Sequence, residues 1–349
     1  MSEILTYEVL QIIWFFLWGL LWAIYFALDG FDLGIGTLLP FIAKNETERR
    51  MLYNAAGPFW DGNEVWLITA GGVTFAAFPK AYAVMFSALY APLLILLFAL
   101  IFRAVSFEFR NKIDSPRWRS IWDLCQFLGS ALPALLLGVA FANLFMGIPI
   151  NEQGVYSGNL LKLLNTYGLA GGAFFVIMFA FHGSLWLAIK TDGDMCDKAV
   201  AAGVILWPIL AVLTVLFLAL TYMYTSLFDR YLASPGFMVI PALAVVTLFA
   251  GRVFLGKDKI VAAFASNALF IISVTLFGVI GMFPALIPSS ISPAADITVY
   301  NAASTAITLT IMLVVVLIFT PIVIGYQAWV YSVFSGKITK EELASEHSY

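Results

Sequence analysis

The sequence predicts an all-α, polytopic membrane protein. Three observations carry that reading. Hydrophobic residues fill 62% of the 349 positions and charged residues only 11%, against about 25% charged in soluble domains. Mean hydropathy is +0.95. The apolar residues fall into runs of about 20 or more, the length a helix needs to cross a bilayer. No polar stretch is long enough for a soluble domain, so 1–349 reads as a single membrane domain. The N-terminus lacks a basic region and a small-residue cleavage site, so the first apolar run reads as a retained helix. Formal charge is −3, and the basic residues sit in short loops, which argues against nucleic acid. Cys125 and Cys196 form neither a disulfide framework nor a metal motif.

In chain order, nine spans are expected: 8–40, 54–78, 80–103, 118–147, 162–189, 199–225, 236–254, 259–285 and 303–334. The first exceeds one bilayer crossing, so a tilt or break near Gly30, Gly34 and Gly36 is expected. Pro79, Gly147 with Pro149, Pro235 with Gly236, and Pro284 with Pro288 mark later boundaries. A short cytoplasmic tail, 335–349, carries Thr339 and Glu342 at capping-box spacing. Of the 18 Lys and Arg residues, 15 fall in odd-numbered loops and the C-terminus, and 3 (Lys80, Lys162 and Arg230) in even-numbered loops. The positive-inside rule then places the N-terminus outside and the C-terminus in the cytoplasm. An eight-helix chain would break this alternation.

A weak internal echo suggests two halves, 8–147 and 162–285. Ala27-Leu28-Asp29-Gly30 parallels Ala180-Phe181-His182-Gly183, Arg103 parallels Arg252, and Gly138-Val139-Ala140 parallels Gly278-Val279-Ile280. The offsets are 153, 149 and 140. Four spans per unit make the repeat parallel, unlike the inverted repeats of many transporters.

Four acidic residues near the N-terminus are the chemical candidates, because a carboxylate within a membrane span is costly unless paired, protonated or hydrated. Asp29 and Asp32 share a helix face, beside a Gly30/Gly34 small-xxx-small pair. They read as an interior relay or as a structural polar cluster, the latter favoured for Asp32. Asp61 and Glu64 repeat the spacing between Trp60 and Trp66. They read equally as proton-relay carboxyls or as a capped helix start at an aromatic belt. Charges of both signs from Arg103 to Asp123 read as topology setting and surface ion pairing. His182 is the one histidine in a span, and one histidine with scattered methionines is a poor haem-ligand set. Asn301, Ser304, Thr305 and Thr308 read as a polar face opening the last helix. On composition and topology alone, a proton-coupled secondary transporter using Asp29, Asp61 and Glu64 stands as the alternative function.

The stretches Asp29-Gly30-Phe31-Asp32-Leu33-Gly34-Ile35-Gly36, Asn45-Glu46-Thr47-Glu48-Arg49-Arg50 and the specific block from Pro58 to Gly72 resemble subunit II of cytochrome bd-type quinol oxidases. The likeness continues through Phe102-Arg103, Arg117-Trp118-Arg119, Met282-Phe283-Pro284, Ile287-Pro288-Ser289-Ser290 and Asn301-Ala302-Ala303-Ser304 to Gly336-Lys337 and Glu341-Glu342. It is weakest over about 150–280. The resemblance implies nine helices as two four-helix bundles plus one peripheral helix, in a bacterial cytoplasmic (inner) membrane. It implies a non-haem subunit of a complex that oxidises quinol and reduces dioxygen to water, with haem b and haem d in an obligate partner, subunit I. No metal or stoichiometric haem is expected on this chain. Some members carry a structural quinone in subunit II or small single-helix accessory subunits. The resemblance puts Asp61 on a proton path and Trp66 on an oxygen path and makes Asp29 a recurring polar position, while Asp29 and Glu64 stay proton-path candidates from their own spacing. Asp32, Arg103 and Trp60 become structural polar positions.

Overall fold

The computed structural model describes residues 6–339 and 343. Helix α1, Tyr7–Ile42, is one unbroken helix of 36 residues, opened by the Thr6 hydroxyl accepting from the Val9 amide. The expected break at its glycines does not occur. A break would strand backbone polar groups within the membrane, and the glycines instead thin the helix where a neighbour crosses it. Helix α2, Glu46–Ala56, is a short polar helix that the span expected from 54 had cut in two. Asn45 caps it by accepting from the Glu48 amide at 3.0 Å, and Glu48 reaches back to the Lys44 amide at 2.8 Å. These two bonds satisfy orphan donors reciprocally.

Helix α3, Trp60–Ala77, follows after Gly57-Pro58-Phe59. The expected third span is two helices, α4, Pro79–Ala88, and α5, Tyr90–Phe109, separated at Leu89. Then come α6, Pro116–Met146, the single turn α7, Leu160–Leu163, α8, Thr166–Lys190, α9, Gly193–Tyr224, and the short α10, Leu227–Ala233. Helices α11, Val239–Leu255, and α12, Ile260–Met282, precede a small antiparallel ribbon of β1, Ala285–Ile287, and β2, Ile297–Thr298. The turn α13, Val299–Ala302, leads to α14, Ala306–Val333. The polar residues at the start of the last span act as caps rather than as a helix–helix face. Thr298 and Asn301 form a capping box, and Thr305 caps α14 by accepting from Thr308. The helix expected in the tail at Thr339 and Glu342 falls largely outside the described residues.

Eight of these helices are long and apolar enough to cross a membrane. Helix α3 is not among them, because Asp61, Asn63 and Glu64 crowd its first turn. It runs antiparallel to α1 nonetheless: Asn63 bonds Asp32 at one end, and Thr74 accepts from the Trp18 indole at 2.8 Å toward the other.

The connections gather at two ends. At one, the Tyr7 hydroxyl donates to the Ser304 carbonyl, the Ser304 amide to Ala77, and the Ile148 amide to Pro288. At the other, the buried Arg110 guanidinium binds Glu46 at 2.8 Å and Asp123 at 2.7 Å, and lies over the Tyr53 ring. Lys198 meets Glu48 there at 2.7 Å, and the Ile338 amide donates to Lys190. Around the third loop Arg110, Arg119, Asp114 and Asp123 are therefore ion-paired. Burial pushes the Glu46 carboxyl up, but the Arg110 hydrogen bond and charge outweigh it and hold it below the ordinary range. Glu48 is held low in the same way, by Lys198, the Lys44 amide and Asn45 against its burial.

The core lies where α1 and α8 cross. A Cβ on Gly34 would run into the Phe179 carbonyl, and one on Gly183 would stand 2.5 Å from the Ile35 nitrogen. Small residues let membrane helices approach this closely, and dispersion then does the work that hydrophobicity cannot do in lipid. Helices α9 and α14 line the periphery, with only 11% and 6% of their apolar windows buried.

Candidate functional site

A polar site forms between α1, α3, α5 and α14, enclosed by apolar packing. Asp29 and Asp32 sit three residues apart on α1, so both project to the same side. Both are fully buried, as is Arg103 of α5. Arg103 grips Asp29 with two hydrogen bonds, at 2.7 and 3.1 Å. This planar fork is the strong form of a carboxylate pair. Gly129 of α6 makes room for it, since a Cβ there would lie 2.7 Å from the Arg103 Cβ.

Asp32 accepts from the Asn63 side-chain amide at 2.7 Å, and Asn63 in turn accepts from the Tyr331 hydroxyl at 2.9 Å. The other Asp32 oxygen, one Glu64 oxygen and the Arg103 Nε are buried without a hydrogen-bond partner among the described residues. Glu64 is half-buried and interacts electrostatically with Arg103, Asp29 and Asp61. The interior set therefore holds three carboxyl groups against one guanidinium. One carboxylate neutralises Arg103. Asp32 and Glu64 are left without a cation of their own, and two further unpaired anions would be costly at this depth.

The sequence grouped Asp29, Asp61 and Glu64 as relay candidates. The structure brings Asp29, Glu64 and Asp32 around Arg103 and leaves Asp61 exposed on the first turn of α3, accepting from the Gly62 amide at 2.7 Å. Trp66 is buried, and its indole donates to Gln327 at 3.1 Å, while Gln327 donates to the Gly62 carbonyl at 2.9 Å. Trp60 stacks on Phe107 with ring centres 5.3 Å apart.

Three residues of the site went unread in the sequence: Asn63, Gln327 and Tyr331. Asn63 lay between better-known acidic neighbours. Gln327 and Tyr331 are four apart in an otherwise apolar span, which places them on one face, and that spacing could have found them.

His182 is fully buried within the bundle. Its Nε2 is within 3.0 Å of the Ala27 carbonyl, and Phe264 stacks on its ring at 4.3 Å. The Nε2–H donates to that carbonyl, which leaves the lone pair on Nδ1, buried and without a hydrogen-bond partner among the described residues. No group of His, Cys, Asp and Glu among the described residues has the arrangement of a metal site.

Comparison with known proteins agrees with this picture. Residues 10–334 match the family described as cytochrome bd terminal oxidase subunit II. The cytochrome bd-I ubiquinol oxidase subunit 2 of Escherichia coli strain K12 is 37% identical over 374 aligned residues, which span 97% of this chain and 98% of that protein. The cytochrome bd ubiquinol oxidase subunit 2 of Bacillus subtilis strain 168 is 37% identical, over 95% and 97%. The probable cytochrome oxidase subunit 2 of Haemophilus influenzae is 38% identical, over 96% of each. The fold resembles a chain of the bd oxidase from Geobacillus thermodenitrificans, with a TM-score of 0.74, 17% identity, and 93% and 98% of the two chains covered. Sequence and fold thus agree along nearly the whole chain, which belongs to the cytochrome bd terminal oxidase subunit II family.

Proposed function

We propose that this chain carries protons toward the dioxygen-reducing centre of its partner through Asp61, Glu64 and the Asp29–Arg103–Asp32 set. The family makes it a subunit of a respiratory quinol oxidase, an oxidoreductase complex in the membrane, and that displaces the transporter alternative. Reducing dioxygen to water consumes protons, and a buried relay needs titratable groups spaced from a surface to the interior. One observation carries the reading: exposed Asp61 and half-buried Glu64 share the first turn of α3 with Asn63, which bonds the buried Asp32 at 2.7 Å. Haem b and haem d, which supply the electron transfer and oxygen chemistry of the complex, are assigned to subunit I. Trp66, anchored to Gln327, is assigned to an oxygen path along α3.

The test uses the assembled complex. Asp61→Asn and Glu64→Gln should keep haem content while slowing quinol:oxygen turnover about tenfold or more, within the usual range for losing a proton-transfer group. Wild-type turnover across pH in both variants overturns the relay. Trp66→Ala should alter oxygen-binding kinetics at unchanged haem content, and unaltered kinetics would leave Trp66 a packing residue.

The finer architecture proposed is nine crossings, with α4 and α5 together forming the third, the N-terminus outside and the C-terminus in the cytoplasm. The antiparallel course of α3 along α1 supports the count. The halves 8–147 and 162–285 are proposed as a parallel repeat, two four-helix bundles with α14 outside them. Two contacts support the repeat. A Cβ on Gly19 would lie 2.6 Å from Val279, and one on Gly172 would lie 3.0 Å from Val139. Gly172 follows Gly19 by 153 residues and Val279 follows Val139 by 140, which are the offsets of the sequence echoes.

A further inference from the structure

A groove of about 610 Å³ opens toward lipid between α1, α8 and α9, at the end that carries the Arg110 network. Its walls are apolar, among them Leu38 and Phe41 of α1, Ile177 of α8, and Ala202 and Ile205 of α9. Phe41 and Ile205 are each 64% exposed, so the wall is open along the membrane side. Two charged residues line it, Lys44 just past the end of α1 and Lys198 in the second turn of α9.

The charges at the rim are specific. Lys198 is held at 2.7 Å by Glu48, whose position is fixed by the Lys44 backbone amide and the Asn45 side chain. The Lys44 ammonium makes no hydrogen bond or ion pair among the described residues. Two lysines against one carboxylate leave one net positive charge, which matches a singly charged phosphodiester. An apolar groove beneath a basic rim has the chemistry of a phospholipid: acyl chains supply the missing dispersion contacts and the headgroup meets the cations.

We propose that this groove is a binding site for an anionic phospholipid, its acyl chain lying between α1 and α9 and its phosphodiester bound by Lys44 and Lys198. The site rests on the membrane placement of the chain and not on the proton relay proposed above. Loss of either therefore leaves the other standing.

The experiment uses the intact complex in nanodiscs holding equal phosphatidylglycerol and phosphatidylcholine, followed by extraction and quantification of retained lipid. Wild type should retain phosphatidylglycerol in excess. Each lysine is worth about fivefold at such a surface, so Lys44→Ala with Lys198→Ala should lower that excess by roughly an order of magnitude or more, with phosphatidylcholine retention unchanged. Ala202→Phe, which fills the groove, should lower retention of both lipids while leaving both lysines in place. Inorganic phosphate at millimolar concentration should not displace the lipid. Equal retention of the two lipids by wild type, or an undiminished excess in the double-lysine variant, overturns the site. Protein rather than lipid cross-linking to a photoreactive group at Ile205 also overturns it.

Discussion

At the residue scale, Arg103 and Asp29 define the interior. Removing one partner of a buried ion pair leaves the other as an uncompensated charge, a cost of about 3–5 kcal/mol. Asp29→Asn should therefore sharply reduce the amount of folded chain recovered from membranes. The paired change Asp29→Leu with Arg103→Met removes both charges and should recover part of the loss, because an apolar pair of similar volume carries no desolvation penalty. A thermal-stability series on Asp29→Leu, Arg103→Met and the double variant checks this, and an additive double variant would show that the two residues do not act as a pair. Both residues stood out in the sequence as charges at the edge of apolar runs. Their pairing did not, because 74 positions separate them and no periodicity links α1 to α5. The bond from Tyr331 through Asn63 to Asp32 was hidden for the same reason: the four-residue spacing of Gln327 and Tyr331 marks a polar face, but a hydrogen-bonded chain across three helices leaves no mark of its partners in local spacing.

At the element scale, the glycines of α1 act through the surface they leave open and not through flexibility. Gly34→Ala drives a methyl group into the backbone of α8 with no side chain to yield, so it should cost more than the roughly 1–3 kcal/mol typical of overpacking. Gly236→Ala meets nothing within 4 Å and should be near neutral. Equal yields and melting temperatures for the two variants would contradict the close crossing of α1 and α8. Helix α2 shows a different element-scale effect. Its Glu46 and Glu48 carboxyls lie below the ordinary range in the folded chain. Their stabilisation is complete above the unfolded value of about 4.3 and is lost as pH falls through the folded one. Melting temperature should thus fall on acidification below about pH 4.3, and less steeply in Glu48→Gln; parallel profiles would argue against the linkage. Long apolar helices were legible because twenty apolar residues admit few other structures. Helix α2 was not, since its polar residues read as loop until the reciprocal Asn45–Glu48 cap is seen. The break at Leu89 likewise falls inside a continuous apolar run.

At the scale of the whole molecule, the position of α3 decides the topology. If α3 crosses the membrane, the described N- and C-terminal ends lie on opposite sides, and if it does not, they lie on the same side. Its charged first turn lowers its hydropathy, yet Asn63 and Thr74 bind α1 at points 14 residues apart on that helix, Asp32 and Trp18. At 1.5 Å per residue this is about 21 Å of the bilayer normal, most of a hydrocarbon core of roughly 30 Å. Asp32 and Tyr331 pair with Asn63 inside the protein, so these neighbours would stabilise a crossing that composition disfavours. Single cysteines at Glu8 and Ser335, both exposed, report on the two ends once Cys125 and Cys196 are replaced by serine. A membrane-impermeant maleimide should label Glu8→Cys in intact cells and Ser335→Cys only after permeabilisation. Labelling of both in intact cells, or of neither, would place the two ends on one side and return α3 to the surface. The 15 basic residues of the odd-numbered loops and C-terminus against 3 in the even-numbered loops favour the first outcome, since an eight-crossing chain would send part of the basic set across the membrane.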